Sequence, residues 1–519
     1  MIPSRFLPPS AKIVFHTAIC LELFCVIFID MLPGALAAEK SGFCDVTEVS
    51  GVAALVNDHY AAHPKWWLSG LHLVDLDSDG KLDLFLSSHG RGAALAVLGD
   101  GASRFVKAPG NYPSSEIHLA YDADEDGRLD LTMTYQDGGG QWWYNRSRPG
   151  KLDFLATGIT RGTNTARRQA MIDIDRDGNV DWLRGMGRGI VFDIGDGKGG
   201  FASGGRTLPV TEGRAEVLCL PQDIDGDGDI DLLTEWGHYG NEDGTSRIFR
   251  NDGQMNFTDV TAAAGLPLQA TSIKGTGDLD QDGDPDLICL NRRKIFAVYL
   301  NDGRGHFLEK VGAVRGIEKG AAMASWGIAV TTDFDNDGVA DVLVNGKYFL
   351  KVLRGTGGGS FQYMNDSWGI RDLAASSVDD GHCFGDIDGD GDLDIVGYIS
   401  LDGQRRIAVY RNDLPPRNWL RVRPIGQAGN GGAAGAIIRL YEPGGERLIW
   451  YEQVAIYDSQ AAASYYGLAQ TERHFGLGDR PSVDVSVQFY PSGSVVRRRG
   501  IGAGRVLTVD EREVLRCEP

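Results

Sequence analysis

At 519 residues the chain is longer than one hydrophobic core usually serves, so it divides into domains or forms one large repeat architecture. Its 42% hydrophobic content is enough for a core, and 71 glycines against 19 prolines exclude a collagen-like chain and point to many tight turns. A net charge of −20 with no basic, aromatic-interleaved stripe excludes nucleic acid as a partner.

The first 38 residues read as a secretory signal. Arg5 and Lys12 precede the apolar run Ile13–Ile29, and Ala35-Leu36-Ala37-Ala38 supplies the small residues of a cleavage site. His16, Glu22 and Asp30 interrupt the run, whereas a spanning helix needs about 20 consecutive apolar residues. The expectation is a secreted protein, extracellular or periplasmic, with no membrane span once the signal is removed. Five cysteines would remain, Cys44, Cys219, Cys289, Cys383 and Cys517. They include no C-x-x-C pair, so neither a zinc ribbon nor thioredoxin chemistry is supported.

From residue 75 one pattern recurs seven times: apolar strand, D-x-D-x-D-G-x-x-D, apolar strand. The copies start at Asp75, Asp122, Asp173, Asp223, Asp278, Asp333 and Asp386, at intervals of 47 to 55 residues, enough for four short strands and their turns. Strand and turn stretches such as Ile248-Phe249-Arg250-Asn251-Asp252-Gly253 and Phe257-Thr258-Asp259-Val260-Thr261 follow each loop. The seventh copy has no fourth strand of its own. Phe43-Cys44-Asp45-Val46-Thr47 resembles Phe257–Thr261 and is the expected closing strand, which would hide an open edge.

Within each loop, positions one, three, five and nine are always Asp. These are Asp75, Asp77, Asp79 and Asp83; Asp122, Asp124, Asp126 and Asp130; Asp173, Asp175, Asp177 and Asp181; Asp223, Asp225, Asp227 and Asp231; Asp278, Asp280, Asp282 and Asp286; Asp333, Asp335, Asp337 and Asp341; and Asp386, Asp388, Asp390 and Asp394. Position six is always Gly, as a turn at positive φ requires. Position seven runs through Lys81, Arg128, Asn179, Asp229, Asp284, Val339 and Asp392, a range no side-chain ligand tolerates, so its expected contribution is a backbone carbonyl. Positions two and eight are apolar or small and anchor the loop.

Carboxylates, a carbonyl and water suit Ca²⁺, up to seven ions, whereas zinc would want nitrogen or sulfur. An EF-hand would need Glu at position twelve and flanking helices, and apolar strands stand there instead. The loops hold 31 of the 71 acidic residues, so seven dications would bring the charge from −20 to about −6.

After Asp413 the Asp loops stop, and β-rich runs separated by Gly and Pro predict a small sandwich. The predicted fold is all-β: a seven-bladed β-propeller with a calcium loop in each blade over 39–412, after a signal over 1–38, and a β-sandwich-like domain over 413–519.

The seven loops resemble the FG-GAP/VCBS repeats of integrin α-subunit propellers. Asn418-Trp419-Leu420, Gly435-Ala436-Ile437-Ile438-Arg439, His474-Phe475-Gly476-Leu477-Gly478-Asp479 and Pro491-Ser492-Gly493 resemble the ASPIC/UnbV domain. Together they are similar to the cartilage-acidic-protein-1 family, which implies extracellular calcium binding and adhesion to a protein or glycan.

A catalytic alternative rests on the strand entering each loop. Its residues four and six before the first Asp would line a central funnel: Ser69/Leu71, Glu116/His118, Arg167/Gln169, Val217/Cys219, Ser272/Lys274, Gly327/Ala329 and Asp380/His382. Glu116, His118, Arg167, Lys274, Asp380 and His382 are its candidates for the acid–base work of a calcium-supported lyase, isomerase or cyclase. The bland alternative is a hydrated polar channel. Asn145, Asn256 and Asn365 also begin glycosylation-type patterns.

Overall fold

Apolar residues flank every Asp-rich loop, and there the chain forms strands buried on both faces. In the first copy Leu71, Leu73, Leu84 and Leu86 enter one apolar cluster, while Val74, Leu76 and Phe85, of opposite parity, enter the next. The adjacent Trp142 and Trp143 divide in the same way between two clusters. The computed structural model describes residues 42–516 except 67, 89–92, 111, 113–115, 135–139, 158–168, 187, 211–215, 239–240, 268–270, 292–294, 318–326, 347–348, 372–381, 402–403 and 458–471. The expected signal and Cys517 lie outside the described residues.

Seven sheets carry the seven loops, each loop joining two antiparallel neighbours. Five sheets have four strands, and the third and sixth have a fifth, Ile456–Tyr457 and Val314–Arg315, the latter parallel to Phe361–Tyr363. The first sheet runs Leu68–Val74, Asp83–Ser88, Leu95–Gly99 and Phe105–Lys107. The next five use strands within 116–156, 169–209, 216–259, 271–309 and 327–363. The seventh takes three strands from 382–413, and its fourth is Gly42–Asp45, with Gly42 opposite Asp413 and Asp45 opposite Tyr410. The N-terminal segment expected to close the last sheet therefore does so.

Apolar clusters join each sheet to the next. One unites sheets one and two, another two, three and four, and further clusters join four with five, five with six, and six with seven. Cys383, Val396 and Val409 of sheet seven then share a cluster with Leu71, Leu84 and Val97 of sheet one, so the succession returns to its start.

An element the sequence reading passed over is the helix Val52–Ala62, whose Val52, Ala53, Val56 and His59 are buried at helical spacing. His59 bonds the Ala93 carbonyl at 2.8 Å.

The C-terminal part forms two sheets over a common core. Arg473–Gly478, Asn418–Ile425 and Arg505–Asp510 make one sheet; Leu448–Gln453, Ile437–Tyr441, Ser482–Gln488 and Val495–Gly502 make the other. The inner residues Leu420, Val422, Ile438, Leu440, Phe475 and Val485 form its core, and burial alternates along Ile437–Tyr441 as in a sheet with one wet face. This unit also reaches into the repeats. Its strand Ile456–Tyr457 pairs antiparallel with the first strand of sheet three, Ala170 opposite Tyr457, and Tyr457 packs against three of the clusters between sheets.

Candidate metal centre

The backbone of each loop is folded around its own carboxylates. Position one accepts the N–H of position six at 2.7–3.1 Å in all seven copies. Position five accepts the N–H of position seven at 2.8–3.1 Å in all seven.

Position nine is a structural fastener as well as a candidate ligand. One of its oxygens accepts the N–H of position two at 2.8–3.1 Å. The other accepts an N–H from the third strand at 2.7–2.9 Å. That third-strand slot is filled in two ways. Gly99, Gly195 and Gly355 let the position-eight carbonyl come so close that a Cβ would sit 2.0–2.3 Å from it. Asn145, Asn251, Asn301 and Asn412 instead donate Nδ2 to that carbonyl at 3.1–3.2 Å. Asn145, Asn301 and Asn412 also donate to the position-two carbonyl of the preceding loop, at 2.7–2.9 Å.

These amides tie loop to loop. Asn412→Ala is expected to lower unfolding stability in urea by about 2–3 kcal/mol, since it leaves the Phe334 and Leu393 carbonyls without their donor. A loss under about 0.5 kcal/mol would contradict the role. The same burial corrects the glycosylation reading at Asn145 and Asn365, which are fully buried with their amides engaged, whereas Asn256 is exposed.

A regularity the sequence reading missed is position four. Its φ lies between 53° and 78° in every copy, although only Gly226 and Gly389 are glycines. Four of the five non-glycine side chains there, those of Glu125, Arg176, Gln281 and Asn336, reach outward to the next loop or to the C-terminal sandwich. Glu125 accepts the N–H groups of Gly429 and Gly431 at 2.6 and 3.0 Å. Arg176 pairs with Asp229, and Gln281 donates to the Gly338 and Ile449 carbonyls. Asn336 bonds Asp392 at 2.7 Å and His474 at 2.6 Å. His474 is therefore a docking contact, held neutral because burial pushes its pKa down to about 3.

What the backbone leaves over is position three. Its Oδ1 is buried without a hydrogen-bond partner among the described residues in Asp124, Asp225, Asp280, Asp335 and Asp388. Carboxylate oxygens of Asp75, Asp77 and Asp83 lie within 4.8 Å of one another, as do those of the triplets headed by Asp122, Asp173, Asp223 and Asp278. Burial raises the first-position carboxyls Asp75, Asp122, Asp173 and Asp223 to about 6, and Asp83, Asp231 and Asp286 to about 8. Crowded, partly unsatisfied oxygens with no nitrogen or sulfur donor among them suit a hard cation.

The funnel candidates are placed differently. Leu71, Gln169, Val217, Cys219, Ser272, Lys274, Ala329 and His382 are all buried. The Lys274 ammonium bonds Glu235 at 2.5 Å, and Ser272 donates to the same carboxylate. Among the described residues His382 has no partner on either ring nitrogen, and burial lowers its pKa to about 4. The side chains of Ser69, Glu116, His118, Arg167 and Asp380 lie outside the described residues. A cavity of about 570 Å³ opens elsewhere, between loops one and two and the segment 423–432, with Asp75, Asp122, Glu125, Arg128 and Arg512 among its lining.

Residues 278–344 and 333–397, spanning loops five to seven, match the FG-GAP-like repeat family. The chain is 27% identical to cartilage acidic protein 1 of Homo sapiens over 287 residues, 52% of this chain and 40% of that protein. It is 28% identical to the Mus musculus protein of the same name over 275 residues, 50% and 40% of the two chains. The chain thus carries FG-GAP-like repeats. It is similar to cartilage acidic protein 1 over about two fifths of those proteins' length.

Two solved structures were also matched. One is an Agrocybe aegerita lectin recognising non-reducing terminal N-acetylglucosamine (TM-score 0.40, 18% identity, 64% of this chain and 92% of that one). The other is Saccharomyces cerevisiae Sqt1 (TM-score 0.36, 10% identity, 85% and 99%). At these scores neither bears on the fold or the function.

Proposed function

We propose that this chain is a secreted, calcium-dependent binding module whose seven sheets close as a seven-bladed propeller over 39–412, capped by an ASPIC/UnbV-like domain over 413–519. The observation that carries the calcium part is the buried, partnerless Oδ1 of position three in five loops. A buried acceptor without a partner is costly, and one cation per loop would satisfy it together with the carboxylates beside it. The cyclic succession of apolar clusters and the N-terminal closing strand support the propeller. The extracellular setting is supported by the signal-like N-terminus and by likeness to an acidic protein of cartilage, this chain also being acidic with a pI near 4.9.

In this reading calcium rigidifies the loops, and a protein or glycan ligand enters the 570 Å³ cavity, whose lining includes the first carboxylates of loops one and two. The funnel is not favoured for catalysis: Lys274 is neutralised by Glu235, and His382 is buried and uncharged. Protein and glycan arrays probed with the full chain test the module. Hits in calcium that vanish in chelator are expected; hits unchanged by chelator, or none on either array, would contradict it.

A further inference from the structure

The seven loops share one pattern but not one electrostatic setting. In loop two Arg146 bridges Asp124 and Asp126, the latter at 2.7 Å, and Arg128 adds a second bond to Asp126 at 2.5 Å. In loop six Arg354 bridges Asp335, at 2.7 Å, and Asp337, while Arg417 reaches the same Asp335 oxygen at 3.1 Å. In loop seven Arg421 bonds Asp386 at 2.8 Å, with Arg411 at 4.0 Å from Asp388. Among the described residues, loop one has only the exposed Lys81 on Asp79. In loops three, four and five no guanidinium or ammonium group bonds positions one, three, five or nine, among the described residues.

We infer that the loops fall into two classes: one, three, four and five are the tight calcium sites, while in two, six and seven resident arginines partly take the cation's place. The inference rests on the calcium reading above. A guanidinium stays charged at any working pH, so a dication entering beside it meets a positive charge at contact distance or must displace it. Displacement is hardest in loop seven, where the Arg421 side chain is only 14% exposed, and easier in loop two, where Arg146 is 35% exposed.

Arg417 and Arg421 belong to the C-terminal segment, so they also anchor it to loops six and seven. Position-four contacts such as Asn336 with His474 reinforce that anchor. Calcium is then needed for the four open loops, whereas sandwich docking at loops six and seven relies on the chain's own cations.

Calorimetric titration of the chelator-stripped full chain with calcium, with ions counted by native mass spectrometry, tests this. Four tight sites are expected, and three at least about tenfold weaker. Arg146→Gln should convert loop two, giving five tight sites, and Arg421→Gln should do the same for loop seven. Should Arg421→Gln fail to fold, by circular dichroism, the exposed Arg146→Gln decides alone. Seven equivalent sites, or a tight count of four unchanged by Arg146→Gln, would overturn the two classes. No calcium at any loop would instead remove the calcium reading itself.

Discussion

In calcium the protein is expected to melt roughly 10–20 °C above its melting temperature in chelator, because a ligand bound only by the folded state adds about 2.7 kcal/mol per site at a hundredfold excess over its dissociation constant. The metal-free fold holds crowded buried carboxylates, and pH reveals them. Asp75, Asp122, Asp173 and Asp223 are raised from 3.8 to about 6, and Asp83, Asp231 and Asp286 to about 8, each chiefly by burial.

The unfolded chain releases these protons near pH 4, while the folded metal-free chain keeps them until pH 6–8. In that window the native state binds more protons, so metal-free stability falls as pH rises. Calcium needs the ionised carboxylates, so in its presence stability should rise over the same window. Melting at pH 5 and pH 8 with and without chelator checks this. The order of the two temperatures is expected to reverse on adding calcium, and the same order in both conditions would contradict it.

Asp231→Asn is expected to destabilise the protein by about 2–4 kcal/mol even in chelator, whereas Asp225→Asn in the same loop is expected to cost less than about 0.5 kcal/mol there. Asp231 accepts backbone N–H groups from Ile224 at 3.1 Å and Asn251 at 2.8 Å, one on each oxygen. An asparagine can accept only one of them and turns an NH₂ toward the other. The Asp225 Oδ1 accepts no hydrogen bond among the described residues, so without calcium its charge is a liability and its loss is tolerated. In calcium Asp225→Asn should lose the ion of loop four. Urea unfolding of both variants in chelator separates the two roles. Equal losses would show that position nine is only a ligand, or that position three is also a fastener.

Much of this was legible in the sequence, because coordination-style turns leave few choices. Asp at one, three, five and nine, Gly at six and apolar residues at two and eight mark a carboxylate-lined turn between strands, and Leu76, Ile174, Leu279 and Phe334 are buried as anchors. Phe43–Thr47 betrayed its place by likeness to Phe257–Thr261.

The rest was hidden for physical reasons. Position four is left-handed, yet Ser78, Glu125, Arg176 and Gln281 do not advertise it, and only Gly226, Gly389 and Asn336 hinted at the conformation. The alternation of Gly and Asn at the third-strand slot answers one carbonyl by two routes, so no single residue type repeats. Contacts such as Glu125 with Gly429, 304 residues apart, have no local signature at all. Strand alternation put Lys274 and His382 on one expected face but could not tell a wet wall from a buried one; both are buried, and Lys274, at a break in its strand's register, meets Glu235.

The most direct test of the central claim is anomalous diffraction from crystals of the full chain grown in calcium. The account predicts calcium peaks inside the Asp-rich loops, strongest in one, three, four and five, about 2.3–2.6 Å from carboxylate oxygens of positions one, three and five. Loops with ordered aspartates and no anomalous density in any of the seven would contradict it.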